Sequence, residues 1–244
     1  MQNRAEDTMS ERRGLLLAKM DPPAQGEQAW NDHYNRVHVA DRLSIPGFLS
    51  ARRYTKLEGI PAQYSIPGDA KYLAIYDVAS LNVLRGKEYR EVWEKDHRQP
   101  ADSFEAQIFT LPRFGRGIYE QVFPEGGEYT VPGSKYVLLV GHEVPRGKSA
   151  EFNAWYNTEH IPYLLETPGV LAIRRFQMAA RRFPPMTSRD GILTKYLTIW
   201  DVRDKSVFET VEFLKAAASP WSQWVRSWYA RKICALYERI FPRD

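Results

Sequence analysis

The chain has one cysteine, Cys234, among its 244 residues. A single cysteine excludes an internal disulfide and any metal site that is built from several cysteines. No apolar run approaches the roughly 18 residues that a membrane-spanning helix needs. Residues 1–13 also lack the apolar segment of a signal peptide. We therefore expect a cytoplasmic protein that has no membrane partner.

Several motifs of catalytic and nucleic-acid-binding proteins are also missing. The sequence contains no glycine-rich phosphate loop and no Gly-x-Ser-x-Gly elbow. The net charge is only +4 and the basic residues are spread along the chain, so we expect no nucleic-acid partner but a small anionic substrate. The histidines show no metal-site spacing, because His33 and His38, five residues apart, diverge around an α-helix. No metal is expected.

One passage occurs twice in the chain. The segment YNRVH at 34–38 returns as YNTEH at 156–160, an offset of 122 positions, and arginine pairs follow both copies at the same offset. A repeat this long indicates that a whole small domain has been duplicated. We predict a tail at 1–12, a first domain at 13–124, a linker at 125–134 and a second domain at 135–244.

Each half shows the pattern strand, helix, strand, strand, helix, strand. Apolar and aromatic side chains from Gln28 to Leu43 recur at the spacing of one helix face, and residues 149–166 repeat this pattern. Strand patterns flank these helices. The order βαββαβ is that of a ferredoxin-like unit, whose antiparallel sheet carries helices on one face only. We predict an α+β fold in which two ferredoxin-like units stack their sheets as an intramolecular dimeric α+β barrel.

A tyrosine and a histidine lie one helical turn apart in both halves: Tyr34 with His38, and Tyr156 with His160. Such a pair projects in one direction and can share a proton, and histidine titrates near neutral pH. These four residues are the candidate catalytic groups. An aromatic stripe at helical spacing is also typical of a buried core, which is the structural alternative. Pro162 removes a helix hydrogen bond and predicts a kink just past His160.

The neighbours of these pairs are candidate substrate-binding residues: His33, Asn35, Arg52, Trp155, Asn157 and Arg174. A buried arginine needs an anionic partner, either a substrate carboxylate or a protein carboxylate, and both alternatives stay open. Asp77 and Asp201, at strand ends, are expected in turns or helix caps. The two copies have diverged, which fits one working and one degenerate pocket, or two pockets with different tasks.

The segment FNAWYNTEHIPYLL at 152–165, followed by Pro-Gly and Arg-Arg-Phe, closely resembles EthD-like members of the dimeric α+β barrel superfamily. The first half, from Trp30 to Tyr54, resembles them less fully, because Ala40 stands where the second half has Pro162. The resemblance implies the fold given above and an acid-base role for the helix histidines. Family members are commonly small cofactor-independent enzymes, and haem-binding relatives share the tandem barrel.

The leading expectation is a cofactor-independent isomerase or lyase in the breakdown of aromatic compounds. Its histidine and tyrosine would transfer protons on a small unsaturated or aromatic-derived carboxylate, and an arginine would balance an enolate charge. One alternative is a haem-binding protein, with a helix histidine as iron ligand, or a cofactor-free oxygenase of the same superfamily. The other is a small-ligand-binding protein without catalysis. A homodimer is a further expectation.

Overall fold

The computed structural model describes residues 12–58, 66–125, 129–179, 193–216 and 218–242. The strands of this part of the chain are β1 Gly14–Met20, β2 Phe48–Lys56, β3 Tyr72–Val78, β4 Gly115–Phe123, β5 Tyr136–Glu143, β6 Val170–Met178, β7 Tyr196–Val202 and β8 Ala230–Phe241. The α-helices are α1 Glu27–His33, α2 Val39–Leu43, α3 Lys87–His97, α4 Phe104–Ile108, α5 Ser149–Trp155, α6 Ile161–Leu165, α7 Val211–Ala216 and α8 Pro220–Arg226. Two short 3₁₀ helices, Val83–Arg85 and Lys205–Glu209, precede α3 and α7.

The eight strands form a closed barrel in the order β1-β3-β2-β8-β5-β7-β6-β4. Each half supplies four neighbouring antiparallel strands, and the halves join through the pairs β2–β8 and β4–β6. Because these two seams pair the edges of both sheets, the described barrel leaves neither sheet with an open edge. The predicted α+β fold, with two ferredoxin-like units forming an intramolecular barrel, is confirmed.

Side chains alternate between the two faces of each strand, which gives the barrel an inner and an outer layer. Leu15 and Leu17 of β1 belong to an inner core that also receives apolar side chains from the second half. Leu16 and Ala18 belong to an outer core that packs under the helices of the first half. The second half has its own outer core. The candidate histidines lie in these outer layers, between sheet and helices.

A π-helical turn interrupts the long helix of each half at the repeated passage. Tyr34–His38 joins α1 to α2, and Tyr156–His160 joins α5 to α6. Turns of this kind are rare and concentrate at functional sites. Sequence analysis attributed an interruption of this helix to Pro162, and that cause is wrong. The first half has the same π turn with Ala40 at the matching position.

The short helices α4 and α8 are absent from the predicted pattern. Ser103 and Ser219 cap them, each accepting a hydrogen bond from the backbone N–H three residues on. Each helix follows the second helical region of its half and precedes the last strand. They matter because α4 carries Glu105 and α8 carries Arg226 to the two candidate sites.

The predicted domain limits stay predictions, and most of the tail (1–11) and part of the linker (126–128) lie outside the described residues. None of the helices in the described ranges combines the length and apolar character that crossing a bilayer requires.

Candidate functional site

The two halves differ in the space that they leave beside the repeated histidine. Next to His160 lies a cavity of about 420 Å³, within the range of about 300–1,000 Å³ that is typical of ligand pockets. Next to His38 the corresponding space is only about 20 Å³, which is room for roughly one water molecule. The second half therefore holds the candidate ligand pocket, and side chains fill the first-half counterpart.

The second-half cavity is lined by both apolar and polar side chains. Leu138 and Val140 of β5, Leu164 of α6 and Phe213 of α7 contribute apolar surface. The polar and aromatic lining comes from five elements and the segment before β8: His142, Tyr156, His160, Trp200, Arg226, Tyr229 and Arg231. An apolar pocket with a few convergent polar groups is the usual form of a small-molecule site.

His160 is buried and held in place by Trp155. The indole ring stacks on the imidazole with centroids 4.5 Å apart and 20° between the planes. The indole N–H donates to Ser222 Oγ at 3.1 Å, so α8 fixes the orientation of the indole ring. Trp155 is thus a support for the histidine, and the structure does not place it in the cavity lining.

The imidazole of His160 is neutral at physiological pH. Burial, followed by the charge of Arg226, lowers its pKa to about 3, although a contact with the Ala216 backbone acts in the opposite direction. Its Nδ1 atom is buried and has no hydrogen-bond partner among the described residues. A neutral imidazole with an unused ring nitrogen can ligate a metal, but it titrates too low to exchange protons efficiently near pH 7.

His142 of β5 is a second buried histidine in the same cavity. Burial and the positive charge of Arg175 hold its pKa well below the usual range, and Arg231 and Arg226 add to the effect. Its ring meets Tyr229 edge-on at 4.8 Å. Sequence reasoning did not select His142. This histidine stands where the first half has Met20, and it continues the alternating pattern of buried side chains along β5.

Tyr156 contacts His160 edge-on, with centroids 5.1 Å apart, and no hydrogen bond between the two is found in the described structure. Burial raises the pKa of the Tyr156 phenol, so it stays protonated at neutral pH. The guanidinium of Arg175 lies 4.1 Å from the centre of its ring. Asn157 and Asn153 accept hydrogen bonds from that guanidinium. Asn157 therefore orients Arg175, and its amide oxygen is already used.

The first half repeats this scaffold but closes the site with Glu105. Asn35 and Asn31 accept from Arg53, whose guanidinium lies 4.0 Å from the Tyr34 ring centre. Tyr34 stacks at a tilt on His38, with centroids 4.4 Å apart, and its hydroxyl accepts from Tyr76. Tyr34 and His38 are thus packed against each other without room for a substrate between them.

Glu105 of α4 joins His33 and His38. Its two carboxylate oxygens lie 2.6 Å from His38 Nδ1 and 3.1 Å from His33 Nε2. Burial, together with the charge of Arg42, lowers the pKa of His38 to about 4 despite the contact with Glu105. A carboxylate only accepts, so Nδ1 of the neutral His38 carries the shared hydrogen. Sequence reasoning missed Glu105 because α4 was not predicted.

Arg52 and Arg174 lie inside the barrel, away from both histidine sites. Arg174 binds Asp201 at 3.0 Å and crosses to Asp77 of the other half at 2.9 Å. Arg52 binds Asp77 at 2.6 Å. The expectation that Asp77 and Asp201 form turns or caps is wrong, because these strand residues neutralise the buried arginines. Of the two alternatives for the arginines, the structure shows protein carboxylates as partners.

Comparison with known proteins identifies the fold but no family. No protein-family profile matches the chain, and no curated protein matches it in sequence. An anthrone oxidase-like protein matches with a TM-score of 0.59 and 11% identity over 95% of this chain and 92% of that chain. A haem-binding protein from Thermus thermophilus matches at 0.53 and 13% over 94% and 92%. A chlorite dismutase variant from Candidatus Nitrospira defluvii matches at 0.52 and 11% over 96% and 93%.

Identities this low establish a shared architecture alone. The chain has the fold of dimeric α+β barrel proteins. Its resemblance to the EthD-like branch stays a prediction.

Proposed function

We propose that this protein is a haem-dependent redox enzyme whose haem lies in the second-half cavity, with an imidazole nitrogen of His160 as iron ligand. The observation that carries the proposal is the state of His160: buried, neutral, at a cavity of about 420 Å³ and with its Nδ1 unpartnered. Haem iron is commonly held by one neutral histidine. The proposal departs from the expectation of a cofactor-independent enzyme.

The rest of the lining suits the same ligand. Leu138, Val140 and Leu164 offer apolar contact to a flat ring system. Arg226 and Arg231 line the cavity and place positive charge there. Guanidinium groups recognise carboxylates well, because their donors match the two oxygens. The haem propionates are such carboxylates, so we assign their recognition to these arginines.

The fold comparisons add support from outside the chain. Proteins with this architecture include one described as haem-binding and one described as a chlorite dismutase. An anthrone oxidase-like protein shares it as well. These descriptions favour redox chemistry over isomerisation for a pocket of this fold.

The isomerase or lyase expectation receives less support from the site. Its mechanism needs a histidine that gains and loses a proton near the working pH. Burial and nearby arginines lower the pKa of His160 to about 3 and that of His38 to about 4. A base this weak is protonated too rarely at pH 7 to return the proton as an acid. Both tyrosine–histidine pairs therefore fit a structural or ligating role better.

Bound haem would supply one-electron and oxygen chemistry that amino-acid side chains lack. The chain itself would orient His160 through Trp155, and keep water from the buried face of that imidazole. The protonated hydroxyl of Tyr156 and the imidazole of His142 line the same cavity. Both groups can donate a hydrogen bond to a substrate or accept one from it.

Titration of the purified chain with haemin, followed by visible absorption, tests the proposal. We expect one haem per chain and a sharp Soret band that differs from that of free haemin. His160→Ala should shift this band and weaken haem binding at least about tenfold, because the iron loses a protein ligand. His97→Ala removes an exposed histidine of α3 and serves as the matched control.

Replacing Arg226 and Arg231 together by glutamine should weaken binding while leaving the band position unchanged, since these residues are assigned to the propionates. The proposal fails if haem does not bind, or if His160→Ala binds it with an unchanged spectrum. Retention of another ligand without conversion would instead favour a receptor without catalysis.

A further inference from the structure

A second chemical site lies in the first half, where the ligand cavity is filled. One ligand atom each from His38, Asp96 and Glu105 lies within 4.8 Å of the others, and all three residues are buried. Imidazole nitrogen and carboxylate oxygen are the donors that bind zinc and other divalent transition metals. Four ligands at about 2.0–2.1 Å from a tetrahedral metal lie about 3.3 Å apart, so small side-chain shifts complete the geometry.

Asp96, a member of this cluster, has an unused carboxylate oxygen. Its side chain is 1% exposed, and Arg42 binds its Oδ2 atom. Oδ1 is buried and finds no partner in the described part of the chain. A buried carboxylate oxygen without a donor is costly, because its hydration is lost and not replaced. A metal ion at Oδ1 would remove that cost without disturbing the pair with Arg42.

The charge balance of the cluster also favours a bound cation. Asp96 and Glu105 are two buried carboxylates, and the guanidinium of Arg42 forms an ion pair with Asp96. Lys95, which precedes Asp96 on α3, forms an ion pair with Asp41 at 2.7 Å. The charge of Glu105 is met by hydrogen-bond contacts with His38 and His33 and by the nearby charge of Arg42. Buried charges are normally paired or ligate a metal.

The π turn brings a fourth donor to the same place. His33 and His38 are five residues apart, and an α-helix would place them about 140° apart around its axis. In the π turn, with its i→i+5 hydrogen bonds, both rings reach the carboxylate of Glu105. The expectation that these histidines diverge, and with it the reason for expecting no metal, is wrong. His33 is partly exposed, with 28% of its side chain accessible, which leaves an entry path.

We propose that His38, Asp96 and Glu105, with His33 as a fourth ligand, form a binding site for a divalent transition metal such as Zn²⁺. The site uses Oδ1 of Asp96 and replaces the hydrogen shared by His38 and Glu105. The neutral imidazole then carries its one ring hydrogen on Nε2, so Nδ1 is free to bind the ion without a net loss of a proton. The metal proposal is independent of the haem proposal because the two sites share no residue and lie in opposite halves.

Isothermal titration of the full chain with Zn²⁺, after treatment with a chelator, tests this site. We expect one ion per chain. Asp96→Asn and Glu105→Gln should each raise the Kd at least about tenfold, because each removes a charged ligand. Glu94→Gln, an exposed neighbour on α3 that pairs with Arg98, is the matched control and should leave the Kd unchanged. His160→Ala should also retain Zn²⁺ binding.

X-ray absorption of the Zn²⁺-loaded wild-type chain gives an answer that does not depend on how the variants fold. The site predicts nitrogen and oxygen neighbours at about 2.0–2.1 Å with an imidazole signature and no sulfur at about 2.3 Å. A sulfur neighbour would place the ion at Cys234 in the second-half cavity and overturn the assignment. Absence of stoichiometric binding, or loss of binding in His160→Ala alone, would overturn it as well.

Discussion

Trp155 and His160 are five residues apart in sequence, yet their rings stack at 4.5 Å. The π turn at Tyr156–His160 makes this contact possible, because its i→i+5 hydrogen bonds bring residues five apart onto one face. The same turn in the first half brings His33 and His38 to one carboxylate, that of Glu105. One local backbone feature thus supports both proposed sites, the haem-ligating histidine of one half and the metal cluster of the other.

Removal of the Ser222 hydroxyl should destabilise the protein and loosen His160. Ser222→Ala leaves the buried indole N–H of Trp155 without its acceptor. An unsatisfied buried donor costs about 1–3 kcal/mol, which urea unfolding at neutral pH measures. Ser227→Ala removes an exposed hydroxyl from the residue after α8 and should change stability by less than about 0.5 kcal/mol. Equal stability of the two variants would refute the role of Ser222.

Stability should fall as the pH drops below about 6.5. His38, His142 and His160 have lowered pKa values in the folded chain, mainly because of burial. In the unfolded chain these histidines bind protons near pH 6.5, whereas in the folded chain they stay neutral at that pH. Lowering the pH therefore stabilises the unfolded state relative to the folded one. His38 and His160, with pKa values of about 4 and about 3, should each cost on the order of 1 kcal/mol between pH 7.5 and 5.5, and His142 acts in the same direction.

Urea unfolding at these two pH values, compared between wild type and His160→Gln, isolates one of the three contributions. The variant should lose less stability than wild type over the same interval, by on the order of 1 kcal/mol. His97→Gln, which alters an exposed histidine, is the control variant. A His160→Gln variant with the wild-type pH dependence would show that this histidine is not kept neutral by the fold.

The ion pairs inside the barrel should depend on both aspartates. Asp201→Asn keeps the shape of the side chain but leaves Arg52 and Arg174 to share Asp77. Breaking a buried pair on one side costs about 3–5 kcal/mol, because a buried charge loses its partner. Glu91→Gln in the exposed pair with Lys87 should cost less than about 1 kcal/mol. A similar small cost for Asp201→Asn would contradict the conclusion that these aspartates neutralise the buried arginines.

The sequence predicts the architecture well because a duplication repeats its signals. Two copies of one hydrophobic pattern define two βαββαβ units, and antiparallel sheets with one bare face must cover each other. The short helices α4 and α8 are harder to predict. Each is only five to seven residues long, too short to show a clear hydrophobic period, and its serine cap is a weak signal by itself.

The candidate site is only partly predictable for the same reason. The repeat identifies His38 and His160, but their different surroundings come from residues distant in sequence, Glu105 on α4 and Arg226 on α8. The π turn also has no sequence signature comparable to a cap or a proline. Burial then decides the protonation state of both histidines, and burial is a property of the packed fold.

The homodimer stays a prediction. Exposed leucines lie at matched places in the two halves, Leu43 and Leu49 in the first and Leu165 and Leu171 in the second. Sedimentation of the purified chain at several concentrations would show whether two copies pair.

The central claim is that an imidazole at position 160 ligates haem iron, and chemical rescue tests it most directly. His160→Gly removes the ring and leaves space for free imidazole in the same cavity. The account predicts that the variant shows an altered Soret band with haemin, and that added imidazole restores the wild-type band. A wild-type spectrum in the variant without imidazole, or no haem spectrum in the wild-type chain itself, would contradict the claim.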